Sequence, residues 1–199
     1  MATKLCDSLI ASAIGVECDT MVTRGLESDG VIINRKDIDF SATVFDESKK
    51  NTIKTLVLKS GKTGYAVSQL GSTPYTGTNA SLVKGIYVNK FSNTVALVVL
   101  DNGPEVCANI IDGLANGEFV VILRNKHKGA NGSAEFQVYG YYQGLHAETI
   151  DNDKYGEDVE GGWAITLLET GVPKSALFFW LTDSETTESA FNSLKENKA

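Results

Sequence analysis

The sequence is poor in cysteine, in histidine and in basic residues. Its 199 residues include three cysteines and two histidines, and 18 Lys and Arg stand against 25 Asp and Glu, which gives a net charge of −7. Three unclustered cysteines, Cys6, Cys18 and Cys107, argue against a disulfide scaffold or a zinc site and are typical of a reducing compartment. The acidic balance argues against tight binding to nucleic acid, because such binding depends on Lys and Arg that neutralise phosphates.

Long apolar runs are also missing. No stretch of about 18 apolar residues occurs, so we expect no membrane-spanning segment. Residues 1–19 include Asp7 and lack a clear apolar core followed by a cleavage site, so we expect no signal peptide. The chain is 42% hydrophobic and 22% charged, an ordinary balance for a globular protein. Its length, without repeats or low-complexity linkers, predicts a single domain over residues 1–199.

Segments of alternating or continuous apolar residues, separated by turn residues, fill the middle of the chain. They predict about nine strands with turn signals roughly every 8–12 residues. Residues 37–45 alternate like a half-buried strand, while 52–59 and 65–70 are predicted to pair as a hairpin. Residues 93–100 are continuously apolar, which indicates a strand buried on both faces or at an interface. Closely spaced strands of this kind favour an antiparallel sandwich or barrel over a parallel sheet.

Three helices are predicted. The strongest begins near Pro104, which suits a first helical turn, and has Gly117 as its carboxyl cap. A second helix closes the chain behind a cap at Asp183 or Ser184, and a short one ends near Gly15. The apolar residues of the strongest helix are expected on one face: Val106, Cys107, Ile110, Ile111 and Leu114. The expected fold is therefore mainly β, an antiparallel β-sandwich or barrel with one packed central α-helix and short terminal helices.

One short motif imitates a phosphate-binding loop, Gly61-Lys62-Thr63. Such a loop requires a glycine five positions before Gly61, where Leu56 stands, and a helix after it, where the sequence is strand-like. We interpret this segment as a hairpin turn.

A second motif, in residues 151–162, imitates a calcium loop. Asp151 and Asp153 occupy its first and third positions, but Gly162 stands where the bidentate glutamate belongs. We interpret the segment as an acidic surface loop in which Asp151, Asp153 and Glu157 are only weak metal candidates. No cofactor is expected.

The stretch FQVYGYYQGLHAETI, residues 136–150, holds three tyrosines and one of the two histidines. His146 and Glu148 would share one face of a strand. No Gly-x-Ser-x-Gly elbow exists, and nothing places Cys107 beside His146, so no nucleophile accompanies them. We therefore predict no catalytic residue and expect that the protein is not an enzyme.

The glycines and tyrosines of the same stretch have a structural interpretation. Gly140 is expected to allow close approach of another backbone, and Gly144 to allow a bend. Tyr139 and Tyr141 are expected to share one strand face. Aromatic packing is favoured for them over a stacking platform for sugars or bases, because no basic residues are interleaved.

The order of segments resembles structural proteins of tailed bacteriophages of Bacteroidetes hosts. The resemblance runs through most of the chain and is carried by VIINRKDID, GEFVVILRNKHKG, FQVYGYYQGL, GGWAITLLET and LFFWLTDSETTESAFNSL. In particular, VYGYYQGL, an acidic loop and GWAITLLE look like the pattern of tail tube subunits, in which a strand ends, a variable loop follows and another strand returns.

This resemblance implies a tail-tube-like fold without catalytic residues. Such subunits assemble as hexameric rings that stack around a channel for genomic DNA, and an acidic lumen would let DNA slide without specific binding. The implied partners are copies of the chain and other tail or neck proteins, and the implied location is the virion tail, assembled in the host bacterial cytoplasm. Loops 71–80, 125–133 and 151–161 are expected to make the subunit contacts, with these candidates: Tyr75, Lys126, His127, Lys128, Tyr155 and Asp158.

Two alternatives remain open. A head–tail connector, tail terminator or capsid accessory protein would share the composition and strand content but form a single ring or decorate a shell. A carbohydrate-binding β-sandwich would depend on the tyrosines and would be a monomer with glycan affinity.

Overall fold

A computed structural model describes residues 10–15 and 21–195 of the chain, and the regular secondary structure of these residues is mainly β-strand. The helices are α1, residues 104–116, and α2, Ser184–Ser193. The strands are β1 (Leu26–Asn34), β2 (Val44–Phe45), β3 (Thr52–Thr55), β4 (Tyr65–Ser68), β5 (Asn79–Val83), β6 (Lys90–Val99), β7 (Phe119–Asn125), β8 (Phe136–Tyr139), β9 (His146–Asp151), β10 (Trp163–Val172) and β11 (Leu177–Phe179). A 3₁₀ turn, Arg35–Asp37, follows strand β1.

The strands form two sheets. The larger has seven strands in the order β2-β3-β11-β8-β7-β1-β4, and the smaller has four in the order β5-β6-β10-β9. The smaller sheet is antiparallel, whereas the larger is mixed because β11 runs parallel to β3. The sheets do not close into a barrel or sandwich, so β2, β4, β5 and β9 remain edge strands. The mainly β prediction is confirmed, and the closed architecture is not.

Strand β7 lies inside the larger sheet, between β8 and β1. Its first five residues, 119–123, are all buried, as expected for an apolar strand covered on both faces. Val120 and Ile122 contribute to an outer core with Phe136, whereas Val121 contributes to an inner core with residues of the smaller sheet. For residues 93–100 we expected burial on both faces or at an interface. Strand β6, which covers most of them, instead alternates between half-buried and buried side chains along residues 94–98.

Helix α2 covers the outer core. The carboxylate of Asp183 accepts a 2.7 Å hydrogen bond from the backbone N–H of Thr186, which confirms the predicted cap. Phe191 is fully buried against Phe136, with 4.6 Å between the ring centroids. Burial of one such ring stabilises the fold by about 1.5–3 kcal/mol. The carboxyl-terminal helix is therefore attached to the middle of the larger sheet.

Helix α1 packs on the inner core. It contains a wider π turn, Cys107–Ile111, between two α-helical turns. The inserted π turn changes the phase of the helix, so Ile111 and Leu114 are buried while Ile110 is 42% exposed. The single apolar face predicted for this helix is therefore split. Gly117 ends the helix with an extended backbone, and a Cβ there would collide with the Phe119 ring.

The predicted strand 37–45 is wrong for most of its length. After the 3₁₀ turn, the Asp39 carboxylate accepts hydrogen bonds from the backbone N–H groups of Ser41 and Ala42. These bonds satisfy the backbone locally and stabilise a turn in place of a ladder. Only Val44–Phe45 pairs as a strand.

The predicted hairpin of 52–59 with 65–70 is also wrong. Strands β3 and β4 lie far apart in the larger sheet, and β4 pairs with β1. The chain between them crosses the outer face, where Gly64 N–H donates a 2.7 Å hydrogen bond to the carbonyl oxygen of Leu194. No helix follows Gly61 in this part of the structure, so the phosphate-loop geometry is missing.

The predicted amino-terminal helix falls largely outside the described residues. Its described part, residues 10–15, has no helical turn.

Candidate functional site

The stretch 136–150 contains two strands and a tight turn. Strand β8 ends at Tyr139 in the larger sheet, and β9 begins at His146 in the smaller one. Between them Gly140 has φ +84°, and a Cβ there would collide with the carbonyl oxygen of Phe119. Gly144, with φ +86°, donates a 2.9 Å hydrogen bond to the Gly140 carbonyl. The expected close approach and bend at these glycines are confirmed.

The tyrosines of this turn do not share a face. The left-handed backbone at Gly140 breaks the strand alternation, so Tyr139 enters the inner core and Tyr141 the outer core. Burial raises the pKa of the phenols of Tyr139, Tyr141 and Tyr142. The expectation of one shared face is wrong. The buried Tyr139 and Tyr141 rings offer no stacking surface.

Glu169, on β10, holds this turn in place. Its carboxylate is buried and accepts hydrogen bonds from three backbone N–H groups, those of Gly140 (3.0 Å), Tyr142 (3.0 Å) and Gln143 (2.8 Å). Asn93 on the neighbouring strand donates a fourth, of 3.0 Å, from its side-chain amide. Both carboxylate oxygens are thus engaged in structural bonds. Sequence reasoning missed this residue, although Glu169 continues the inward alternation of Ile165 and Leu167.

Loop 71–80 differs from its predicted role. Tyr75 is 2% exposed, with its ring in the inner core. Its hydroxyl donates toward the carbonyl oxygens of Ser28 (2.7 Å) and Val67 (3.1 Å). Because the ring is enclosed within its own subunit, Tyr75 cannot present it to a neighbour, and this contact candidate is corrected. A deletion of 72–79 would remove a core residue as well as a loop.

Loop 125–133 lies beside loop 71–80. The Lys126 ammonium lies 3.4 Å from the Ser72 carbonyl oxygen, and His127 Nδ1 accepts a 3.5 Å hydrogen bond from the Thr23 backbone N–H. Lys128 is exposed, but its ammonium lies 3.0 Å from a Glu135 carboxylate oxygen. These three candidates therefore already hold partners within the chain, at a partly exposed surface.

A charged cluster lies beneath loop 125–133. Glu135 is buried, and Arg124 Nε donates a 2.7 Å hydrogen bond to its carboxylate. The Arg124 guanidinium also lies 3.1 Å from Glu188 of helix α2 and 3.7 Å from Asp29 of β1. Burial raises the pKa of Glu135, but hydrogen bonds from Lys128 and Arg124 outweigh it and hold the pKa below its ordinary value. The cluster joins strands, loop and helix, and no sequence motif indicated it.

The acidic loop 151–161 is largely open to solvent. Tyr155 is 94% exposed, and Asp158 is exposed beside it. Asp153 accepts a 3.0 Å hydrogen bond from the Tyr155 backbone N–H, which is ordinary turn chemistry. Asp151 and Glu157 are exposed as well. Within residues 10–15 and 21–195, no three His, Cys, Asp or Glu side chains are grouped as metal ligands.

A second exposed feature is the hairpin formed by β5 and β6. All five residues of β5 are exposed, including Leu82 and Val83, and the strand is an edge of the smaller sheet. The last strand pair is Val83 with Lys90, and residues 84–89 form the hairpin tip. At the tip, Ile86 is 95% exposed and Tyr87 is 96% exposed.

An apolar groove of about 620 Å³ lies between β4, the end of β6 and helix α1. Partly exposed apolar side chains line it, among them Tyr65 (59% exposed), Leu100 (53%) and Ile110 (42%). The split face of helix α1 contributes Ile110. The groove and the hairpin tip are the apolar surfaces on which a candidate assembly site can be built.

None of the helices in the described ranges is long and apolar enough to cross a bilayer. Comparisons with protein-family models, with curated proteins and with solved structures found no match.

Proposed function

We propose that this chain is a virion structural protein of a tailed bacteriophage, and that it assembles as a tail tube subunit into stacked rings. The segment order described above suggests the family. The structural observation that supports self-assembly is β5, an edge strand with five exposed residues that include Leu82 and Val83. An uncovered apolar edge is a template for pairing with another chain. Its exposure in the single chain is explained if a copy covers it.

The charge of the chain suits a channel for DNA. The net charge is −7, and residues 151–161 present several exposed carboxylates. A lumen of negative potential repels phosphates, so genomic DNA passes without specific binding. In this proposal, residues such as Tyr155 and Asp158, together with loop 125–133, contribute subunit contacts. Other tail or neck proteins bind the ends of the assembly, which is located in the virion tail after assembly in the bacterial cytoplasm.

Negative-stain electron microscopy of the purified protein tests this proposal. Long tubes with a central hole are the expected result. Isolated rings would favour the head–tail connector or terminator instead, and a monomer at every concentration would contradict both.

An edge-strand variant makes the test specific. Leu82→Lys with Val83→Lys adds charge to the free edge, which is how edge strands are kept apart in monomeric proteins. We expect shortened tubes or none. The control is Val44→Lys, on exposed edge strand β2 of the other sheet, which should assemble like the wild type. Equal assembly of both variants would remove β5 from the interface.

A further inference from the structure

The hairpin tip and the apolar groove lie at opposite ends of strand β6. The tip, residues 84–89, directly precedes Lys90, where β6 begins, and the groove is lined by Leu97–Leu100, where it ends. A strand of this length spans about 30 Å, since each residue advances about 3.3 Å. The tip of one chain is therefore held away from its own groove.

The two surfaces match in polarity and size. The tip carries Ile86 and Tyr87 almost free of contact with the chain that bears them. The groove, of about 620 Å³, is within the range of about 300–1,000 Å³ typical of sites that enclose a compact apolar group. Ile110 and Leu100 are exposed at the groove, so each surface lacks the cover that the other can supply.

The charges around the two surfaces are opposite. Residues 79–100, which include the hairpin, contain Lys84 and Lys90 and no acidic residue. Residues 101–118, which follow the groove end of β6 and include α1, contain four acidic residues and no basic one. Asp101, Glu105 and Asp112 are exposed, whereas Glu118 lies 3.6 Å from Arg35. Opposite potentials of this kind orient partners and favour one docking direction.

We propose that the hairpin tip of one copy inserts into the apolar groove of the next copy, with Ile86 and Tyr87 as the anchors. The proposal rests on the self-assembly proposed above and specifies one of its contacts. The contact is heterologous, because different surfaces of the two copies meet. Since they lie at opposite ends of β6, repetition adds each copy along the direction of that strand and leaves a free tip at one end and a free groove at the other.

Complementary variants test the contact. Ile86→Asp with Tyr87→Asp disables the tip, and Leu100→Asp with Ile110→Asp disables the groove. All four residues are exposed, so the fold is expected to persist, as circular dichroism can verify. Each double variant should weaken assembly at least tenfold in sedimentation velocity experiments. The control is Val44→Asp, an exposed apolar residue outside both surfaces, which should assemble like the wild type.

Mixing the two double variants gives the decisive result. A tip-disabled chain keeps its groove and a groove-disabled chain keeps its tip, so one intact contact can form between them. We expect one-to-one pairing in the mixture that neither variant shows on its own. Charge reversal provides a second measurement: Lys84→Glu with Lys90→Glu should weaken assembly, and mixing with a Glu105→Lys, Asp112→Lys chain should restore pairing.

The outcomes separate this proposal from the one before it. Wild-type assembly together with unimpaired tip-disabled chains would overturn the tip-to-groove contact and leave self-assembly standing. A wild-type chain that stays monomeric would overturn both. If disabling the groove weakens assembly but disabling the tip does not, and removal of residues 1–20 reproduces that loss, the groove holds the amino-terminal segment and the proposal is wrong.

Discussion

The carboxylate of Glu169, on β10 of the smaller sheet, accepts a 3.0 Å hydrogen bond from the backbone N–H of Gly140, just after β8 of the larger sheet. The same carboxylate binds the N–H groups of Tyr142 and Gln143. One buried side chain thus fixes the place where the chain passes from one sheet to the other. A buried acceptor with several donors is costly to remove, because each donor is left without water or a partner.

Replacing Glu169 with glutamine is therefore expected to lower the free energy of unfolding by at least about 2 kcal/mol. The amide keeps one acceptor oxygen but turns an NH₂ group toward a donor. Urea denaturation followed by tryptophan fluorescence measures the change. Glu148→Gln, on exposed β9, is the matched control and should stay within about 0.5 kcal/mol of the wild type. Equal losses in the two variants would contradict the structural role of Glu169.

Two glycine-to-alanine variants distinguish the cost of a left-handed backbone from the cost of a steric clash of the added Cβ atom. Gly61 and Gly140 both have positive φ, but a Cβ at Gly61 meets open space, whereas at Gly140 it collides with the Phe119 carbonyl oxygen. Gly61→Ala should cost about 1–2 kcal/mol, the penalty of a left-handed conformation. Gly140→Ala should cost more than twice that and lower the yield of soluble protein. Similar thermal unfolding of the two variants would show that the turn can move away from Phe119.

Tyr75 offers a test of the corrected loop assignment. Tyr75→Phe removes the hydroxyl that donates toward the Ser28 and Val67 carbonyls, and we expect a loss of about 1–2 kcal/mol. The matched Tyr155→Phe change, at a ring 94% exposed, should leave the free energy of unfolding unchanged. Chemical denaturation of both variants decides the matter. If Tyr75→Phe left the free energy of unfolding unchanged, the hydrogen bonds of the hydroxyl would make no net contribution to stability.

The cluster around Glu135 predicts a pH dependence. Its pKa in the folded chain lies below the ordinary value of 4.5, so the unfolded chain takes up the proton first as the pH falls. The stabilisation by this carboxylate is thus fully present above about pH 5 and is lost as the pH falls through the folded pKa. Glu135→Gln should be less stable than the wild type at pH 7 but lose less stability on acidification. Parallel stability curves for the two proteins between about pH 6 and 3 would contradict this sign.

The sequence predicted the structure correctly where a segment is stabilised by contacts among its own residues. Asp183, one of the two predicted caps, marks the start of α2. The partners of a strand are set by distant residues, which explains the failed hairpin: Thr52 of β3 pairs with Phe178. Residues 37–45 were predicted as a strand because their apolar residues alternate. The same alternation occurs in this turn, which is stabilised by hydrogen bonds to the Asp39 carboxylate.

The same limit applies to the candidate site. The exposure of Tyr155 follows from its acidic neighbours, but the burial of Tyr75 depends on strands far away in sequence. The apolar groove is built from several separate segments, including β1, β4, the end of β6 and α1, so no window of sequence contains it. The hairpin tip was concealed because Ile86 and Tyr87 continue a strand-like composition through the turn. The periodicity of apolar residues indicates which secondary structure a segment prefers. The exposure of a side chain depends instead on which other parts of the chain pack against it.

The position of β11 has a consequence for how the chain acquires its structure. This strand is the third of the larger sheet, between β3 and β8, although it is the last strand in the sequence. Strands β2 and β3 are connected to the rest of the larger sheet only through β11. During synthesis from the amino terminus, they therefore cannot join the sheet until residues 177–179 have been made. Pairings between such distant segments form slowly, since the chain must close long loops first. Folding of the larger sheet is thus completed only after residues 177–179 have left the ribosome, and loss of these residues would divide the sheet rather than trim its edge.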